Sequence, residues 1–476
     1  MTQISHIINI FNNIGQVMIA RNQSLNFIDA NRQNIIEMLL EFLRFPSIST
    51  DKAHHDDIVH AAKWLGNCLL QAGLTNIQIL PTDGNPVVYA EYNQSGSSVP
   101  TILVYGHYDV QPPDPLEQWV SPPFFPEVRG DGLYGRGASD MKGQVIASIA
   151  AVSAYIKYAK HPINIKFLIE GEEEIGSPYF EKFLINHSSL LACDYVLNPD
   201  AGMISEDIPT IVYSLRGLAF FELIINGPKS DLHSGVFGGV IHNPAQVLCD
   251  LIAGMHDSDG RITLPGFYNQ VRTIDSVELQ EMAASPMDDS YYLKKTGAPE
   301  LWGENGFSPA ARVGARPTLD INGMIAGFTG TGSKTVIPAS ASVKLSMRLV
   351  PDQNPDQIHQ QLRQYLEQHA PQTVKWELRY LGGGQAYIAD RTLPATQALV
   401  KAMQTTWNRS PVLKREGGSV SVALDMKKVL GVDSILTGFG LPDDNIHAPN
   451  ERLHLPTWYK GISTLVHFLY NLSEME

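Results

Sequence analysis

The chain has 476 residues, more than one ordinary hydrophobic core accommodates, so two domains are the expectation. Hydrophobic residues make up 43% and charged residues 18%, a globular composition, and the net charge of −14 argues against a nucleic-acid surface. No apolar run reaches the roughly 18 residues of a membrane span, so no membrane partner is expected. The cysteines, Cys68, Cys193 and Cys249, form no CxxC pair and read as small buried apolar residues in a reducing compartment.

Taken in chain order, MTQISHIINIFNNIGQVMIAR lacks a positive start, and Asn12 and Asn13 interrupt its apolar run, which argues against a signal peptide and for a cytoplasmic protein. Ile4, Ile7, Ile8, Phe11 and Met18 fall near helical spacing and predict an amphipathic helix packed on the protein. A second helical pattern runs from Asn31 to Phe45, with a helix over 57–72 and strands over 77–80 and 87–91 beyond it. The proline-rich stretch Pro112 to Pro126 carries Trp119, Phe124 and Phe125 and reads as an ordered loop. A long helix is predicted over Lys142 to Tyr158. After Asp200 the texture changes. GLAFFELIING alternates like a half-buried strand, NPAQVLCDLIAGM reads as a helix, and 258–316 resists assignment. SVKLSMRLVP is a strand, PDQIHQQLRQYLEQHA a helix capped near Asp356, and VKWELRYLGGG closes an inserted α+β unit over 215–383. ATQALVKAMQTTW then returns to helix. The first domain is therefore expected from 1–214 and 384–476.

The chemistry concentrates at the ends of apolar segments. TILVYGHYD, NIKFLIEGEEE, CDYVLNPDAG and DSILTGFGLPDDNIH each run into an acid or a histidine: His107 and Asp109, Glu173 and Glu174, Asp200, and His447. Ligands of open α/β sheets bind beyond the carboxyl ends of the strands, so these residues predict one metal site. Oxygen and imidazole donors without thiolate suit catalytic zinc, manganese or cobalt. Asp109, two residues past His107, is placed to hold its imidazole. Three like charges at Glu172, Glu173 and Glu174 repel unless a cation is near, and adjacent carboxylates can split ligand and proton-acceptor duties. Asp140, in GRGASDMKG, precedes the long helix. GFTGTGSKT misses the phosphate-loop spacing because Ser333 separates Gly332 from Lys334, and no GxSxG elbow occurs.

GHYDVQP, GRGASDMKG, EGEEEIGS, NPDAG and a late histidine together resemble the co-catalytic dizinc exopeptidase family, in its carnosinase-like, non-specific dipeptidase branch. The resemblance covers the chain from about residue 30. It implies an α/β fold with a mixed-sheet catalytic domain and an inserted α+β lid and dimerisation domain. It implies two divalent metal ions, Zn2+ first and Mn2+ or Co2+ as alternatives. His107 and Asp200 would bind one, Glu174 and His447 the other, and Asp140 would bridge. Glu173 would be the general base, Asp109 would orient His107, and Glu172 would be an extra acid. A cis peptide is implied at Asp140-Met141. In the lid, DLHSG places His233 as an oxyanion-stabilising imidazolium acting on a partner subunit of a homodimer. Thr335 and Arg348 would contact the substrate carboxylate, and Gly418 and Ser419 belong to a substrate-binding loop. The implied reaction is metal-dependent hydrolysis of a dipeptide or short-peptide amide bond. An N-acyl-amino-acid deacylase and a non-catalytic binding protein are the rivals. Where some dipeptidases carry a histidine before a Gly-Gly, this chain has Leu381.

Overall fold

A computed structural model describes residues 2–93, 96, 99–160, 162–418 and 421–475, with the side chains of 2–14 and of 421 outside that description. The chain forms two compact units. One comprises Met1–Tyr213, Ala389–Leu413 and Val422–Glu476, the other Ser214–Ile388 and Lys414–Ser421.

The first unit is built on a mixed sheet. Its strands run in the order Thr75–Leu80, Val87–Tyr92, Asn164–Glu170, Thr101–His107, Tyr195–Asn198 and Ser434–Leu436, followed by Thr210–Leu215. The two outer strands pair antiparallel, whereas Asn164–Glu170, Thr101–His107, Tyr195–Asn198 and Ser434–Leu436 are consecutive parallel neighbours. These are the segments whose apolar runs end in acids and histidines. Thr101–His107 is buried from Ile102 onward, as an all-apolar strand covered on both faces should be.

Helix Gly143–Tyr158 is apolar almost all round and accordingly buried along most of its length. Helix Leu455–Ser473 packs on it, and Pro394–Trp407 and Thr2–Ala30 pack in turn on Leu455–Ser473. The fully buried Trp458 indole donates to the Gly143 carbonyl at 2.8 Å. The N-terminal helix docks through Ala20, Ser24 and Ile28, whereas Met18 is 58% exposed and does not belong to its buried face. Ile4, Ile7, Ile8 and Phe11 lie among the side chains outside the description.

The second unit holds a four-stranded antiparallel sheet in the order Thr318–Ala326, Ser340–Leu349, Gly217–Asn226 and Lys375–Gly384. Burial alternates along Gly217–Asn226, with Ala219, Phe221, Leu223 and Ile225 joining a core against helices Pro244–Ala253 and Pro355–His369. The cap of the latter helix is Asn354, next to the expected position: its side chain accepts the N–H groups of Asp356 and Gln357, and Pro355 occupies the first helical position. The stretch 258–316 contains short helices whose starts are marked by Asp275, Asp288 and Ser308 caps. Cys68 is buried, but Cys249 is exposed, contrary to its reading as a core residue. Among the described residues no helix is long and apolar enough to cross a membrane.

Candidate metal centre

His107 closes its strand and is fully buried. Its Nδ1 lies 3.1 Å from the Asp109 carbonyl and 3.4 Å from the Asp109 carboxylate. With Nδ1 turned to Asp109, Nε2 faces Asp140 at 3.2 Å and Asp200 at 3.8 Å. The Asp109 carboxylate does a second job that its spacing does not announce. Its two oxygens accept the backbone N–H groups of Glu173 at 3.2 Å and Glu174 at 3.0 Å, so one buried acid fixes both the imidazole and the glutamate turn.

Asp140 leaves a turn in which Gly137 has φ +85°, a left-handed position where a Cβ would also sit 2.6 Å from Val110. The Asp140-Met141 peptide is cis. Asp140 directs one carboxylate oxygen at His107 and the other at His447 Nε2, 3.0 Å away. The Glu174 carboxylate lies 3.2 Å from the same His447 nitrogen and receives an N–H from Gln111 at 2.8 Å. Two overlapping donor groups result, His107, Asp140 and Asp200, and Asp140, Glu174 and His447, each with donor atoms within 4.8 Å of one another.

The surrounding charge explains the protonation of these groups. Burial, then the nearby Asp140 and Glu174, push Asp200 up to about 7, although His107 opposes the shift. Burial also pushes Glu173 well above the usual carboxylate range, helped by Asp200, Asp140 and Glu174 and opposed by His107. Hydrogen bonds to Asp140 and Glu174 push His447 up to about 10. For His107 burial works downward, but the bonds to Asp109 and Asp140 prevail and raise it. Asp140 is held low, because the two histidines outweigh its burial. A cluster that gathers protons to offset its own negative charge, with oxygen and imidazole donors and no thiolate, fits divalent cations.

Glu172 stands apart from its two neighbours. Its carboxylate lies against Gly84, where a Cβ would come within 2.0 Å of Oε1, so position 84 has to be glycine while Glu172 stays there. Burial raises Glu172, and the backbone N–H of Asn85 partly offsets that. Beneath the turn, Glu170 accepts hydroxyl hydrogen bonds from Tyr105 at 2.8 Å and Ser177 at 3.0 Å, tying the entry of the glutamate turn to its exit.

In the second unit, His233 and Thr335 are neighbours: the Ser234 N–H donates to the Thr335 carbonyl at 3.1 Å, and His233 pairs with Val336. The His233 Nδ1 accepts the Gly235 N–H at 3.0 Å. With Nδ1 accepting there, Nε2 is the ring nitrogen left to donate. Arg348 lies in Ser340–Leu349. Burial, then the charge of Arg348, pushes the Arg216 guanidinium down to about 10. Arg216 donates its N–H to the Gly418 carbonyl at 3.0 Å, and Gly418 groups with this second unit. Ser419 lies outside the described residues. Gln111, Glu170 and Ser177 were not singled out in the sequence. Amide and hydroxyl side chains leave no charge pattern, and Glu170 reads only as the end of a strand.

Strand ends bearing two overlapping carboxylate–imidazole groups define a metallohydrolase type of site. The chain belongs to peptidase family M20/M25/M40, whose profile matches residues 103–471. It is 31% identical over 465 residues to the Cys-Gly metallodipeptidase DUG1 of Candida albicans, covering 93% of this chain and 95% of that one. It is 31% identical over 397 residues to the human Beta-Ala-His dipeptidase, covering 82% and 78%. Among solved structures, the M20 family metallo-carboxypeptidase Sso-CP2 from Sulfolobus solfataricus superposes with a TM-score of 0.80 at 31% identity, over 93% of this chain and 99% of that one.

Proposed function

We propose that this chain is a metal-dependent dipeptidase that hydrolyses the amide bond of dipeptides or short peptides. The observation that carries the reading is Asp140, one oxygen toward His107 and the other toward His447, between two donor groups at neighbouring strand ends. His107 and Asp200 would hold one ion, Glu174 and His447 the other, and Asp140 both. Zinc is the first choice, with manganese or cobalt compatible with the same donors. Two bound divalent ions supply a field that makes a water acidic and polarises the scissile carbonyl.

The protein's own groups do the rest. Glu173 takes the proton of the attacking water and returns it to the leaving amine nitrogen. Its burial among acids makes it a carboxyl that holds a proton readily. Asp109 keeps His107 in the tautomer that presents Nε2 and keeps the Glu173 amide in place. The second unit would act as the lid and dimerisation domain. There His233 would donate its Nε2–H to the developing oxyanion, Arg348 and Thr335 would hold the substrate carboxylate, and Gly418 and Ser419 would line the substrate loop. The edge strand Thr318–Ala326 exposes Met324 and Ile325 and supports a homodimer through this unit. The free cysteines are consistent with the cytoplasm.

The test is protein reconstituted with zinc, manganese or cobalt against dipeptides, tripeptides, longer peptides and N-acyl amino acids, with a chelator control. Longer peptides belong in the panel because Sso-CP2 is named a carboxypeptidase. Chelator-sensitive cleavage of dipeptides supports the reading. Turnover of N-acyl amino acids alone would replace it with the deacylase.

A further inference from the structure

The turn that carries Asp140 is held by side chains from the loop that carries His447. Glu451, just past His447, is fully buried. Its Oε1 accepts the N–H groups of Ser139 at 2.9 Å and Asp140 at 3.1 Å. Its Oε2 accepts the N–H of Gly137 at 2.7 Å and the Arg136 guanidinium at 2.8 Å. The Glu451 carbonyl accepts the Gly135 N–H at 3.1 Å. On the other side of His447, the fully buried Asp444 accepts the Ser139 hydroxyl at 3.0 Å and the Leu441 N–H at 2.7 Å with the same oxygen. The Arg452 N–H donates to the Asp444 carbonyl at 2.8 Å and closes the base of the loop. All of these residues belong to the first unit.

An ion pair with Arg136 alone would not require this arrangement. A carboxylate has about four lone-pair directions. Most of those of Glu451 are spent on backbone N–H groups of the turn presenting Asp140, and one bond is to the N–H of Asp140 itself. Asp140 has to aim its two oxygens in two directions at once. Partners behind a ligand set that aim, and a centre of this kind tolerates displacement of only about 0.5 Å.

We infer that Glu451 is a positioning residue of the metal centre. Through the amides of Gly137, Ser139 and Asp140 it fixes the shared carboxylate relative to His447, so that the two loops act as one rigid piece. This rests on the dinuclear reading of Asp140. Glu451 touches neither substrate nor the reacting atoms and acts only through Asp140.

The test uses full-length Glu451→Gln and Glu451→Asp, with Arg136→Lys as the control. Glu451→Asp keeps a charge opposite Arg136 but withdraws the oxygens by about one carbon–carbon bond, about 1.5 Å. Glu451→Gln keeps one acceptor oxygen and loses the other. Arg136→Lys alters the ion pair and leaves the amide bonds intact. The readouts are calorimetric zinc titration of metal-free protein, the visible spectrum of the cobalt form, and hydrogen exchange of the amides of Gly137, Ser139 and Asp140 without metal. Turnover is measured last.

In the Glu451 variants we expect metal affinity to fall about 10–100-fold, with altered cobalt bands and faster exchange at those amides. kcat should fall by a similar factor while KM for peptide stays near the parent value. Arg136→Lys should lower the melting temperature and leave metal affinity unchanged. If Glu451→Gln does not fold, Glu451→Asp carries the test. Folded Glu451 variants with parental metal affinity and cobalt spectrum overturn the inference, as does an Arg136→Lys that weakens metal binding as much as they do. A parent protein that takes up a single ion sinks the dinuclear reading itself, and the parent titration reveals that separately.

Discussion

Glu173 and Glu174 are adjacent, and their amides are held by the same Asp109 carboxylate, yet their side chains meet different surroundings. Glu174 is engaged by Gln111 and His447. Glu173 is buried among acids and pushed well up by that burial. The difference suits a ligand beside a base. Glu173→Gln should therefore keep both metals by elemental analysis and lose about 100–10,000-fold in kcat, because an amide cannot accept the proton of water. An active Glu173→Gln alongside a metal-depleted, inactive Glu174→Gln would shift the base within the triplet. Asp140 and Asp200 separate in the same way. Asp140 faces both histidines, whereas Asp200 lies 3.8 Å from His107 alone. Asp140→Asn should cost both metals and Asp200→Asn chiefly one, read as metal per chain. Equal loss in the two variants would contradict the bridging role.

The strand ends explain how much could be read beforehand. Apolar runs such as Thr101–His107 and Asn164–Glu170 are visible because buried parallel strands need apolar residues on both faces, and a charge at their end has nowhere else to be. The candidate donors His107, Glu174, Asp200 and His447 stand at or beyond such strands in the sequence, which is what marks them out. The hydrogen bonds behind them carry no such mark. That Asp109 holds two backbone amides, that Glu451 reaches the Asp140 turn, and that Glu172 lies against Gly84 depend on loop paths no periodicity encodes. Helix packing hides its polar exceptions in the same way. His467 lies in Leu455–Ser473 with its Nδ1 buried and without a hydrogen-bond partner, and burial, then the charge of Arg21, push it down to about 4 from 6.5. Between those values the unfolded chain binds more protons than the folded one, so this residue withdraws stability as pH falls from 6.5 toward 4. Melting of metal-free His467→Leu should accordingly lose less between pH 6.5 and 4 than that of the parent. Parallel melting curves for the two proteins would show that folding does not shift the proton affinity of His467.

At the scale of the whole molecule, the remaining issue is whether one chain suffices. Thr318–Ala326 is an edge strand, bonded on one side to Ser340–Leu349, and exposes Met324 at 45% and Ile325 at 70%. An apolar strand edge of this kind invites a second copy. His233 is in the same unit, exposed, with its Nε2–H unused by the Nδ1 bond to Gly235. If that donor serves the partner's metal centre, two inactive proteins should repair one another. His233→Ala lacks the donor and Glu173→Gln lacks the base. In a mixed dimer one site regains both groups and the other loses both, so activity should return toward about half the parent level. Each variant alone should be inactive, with loss of the oxyanion donor costing roughly 100–1,000-fold in kcat. Ile325→Lys should weaken the dimer in sedimentation and take activity down with it as protein is diluted. A confirmed hybrid that stays inactive, or an Ile325→Lys monomer with parental activity, would falsify the trans arrangement and leave each chain catalytically complete.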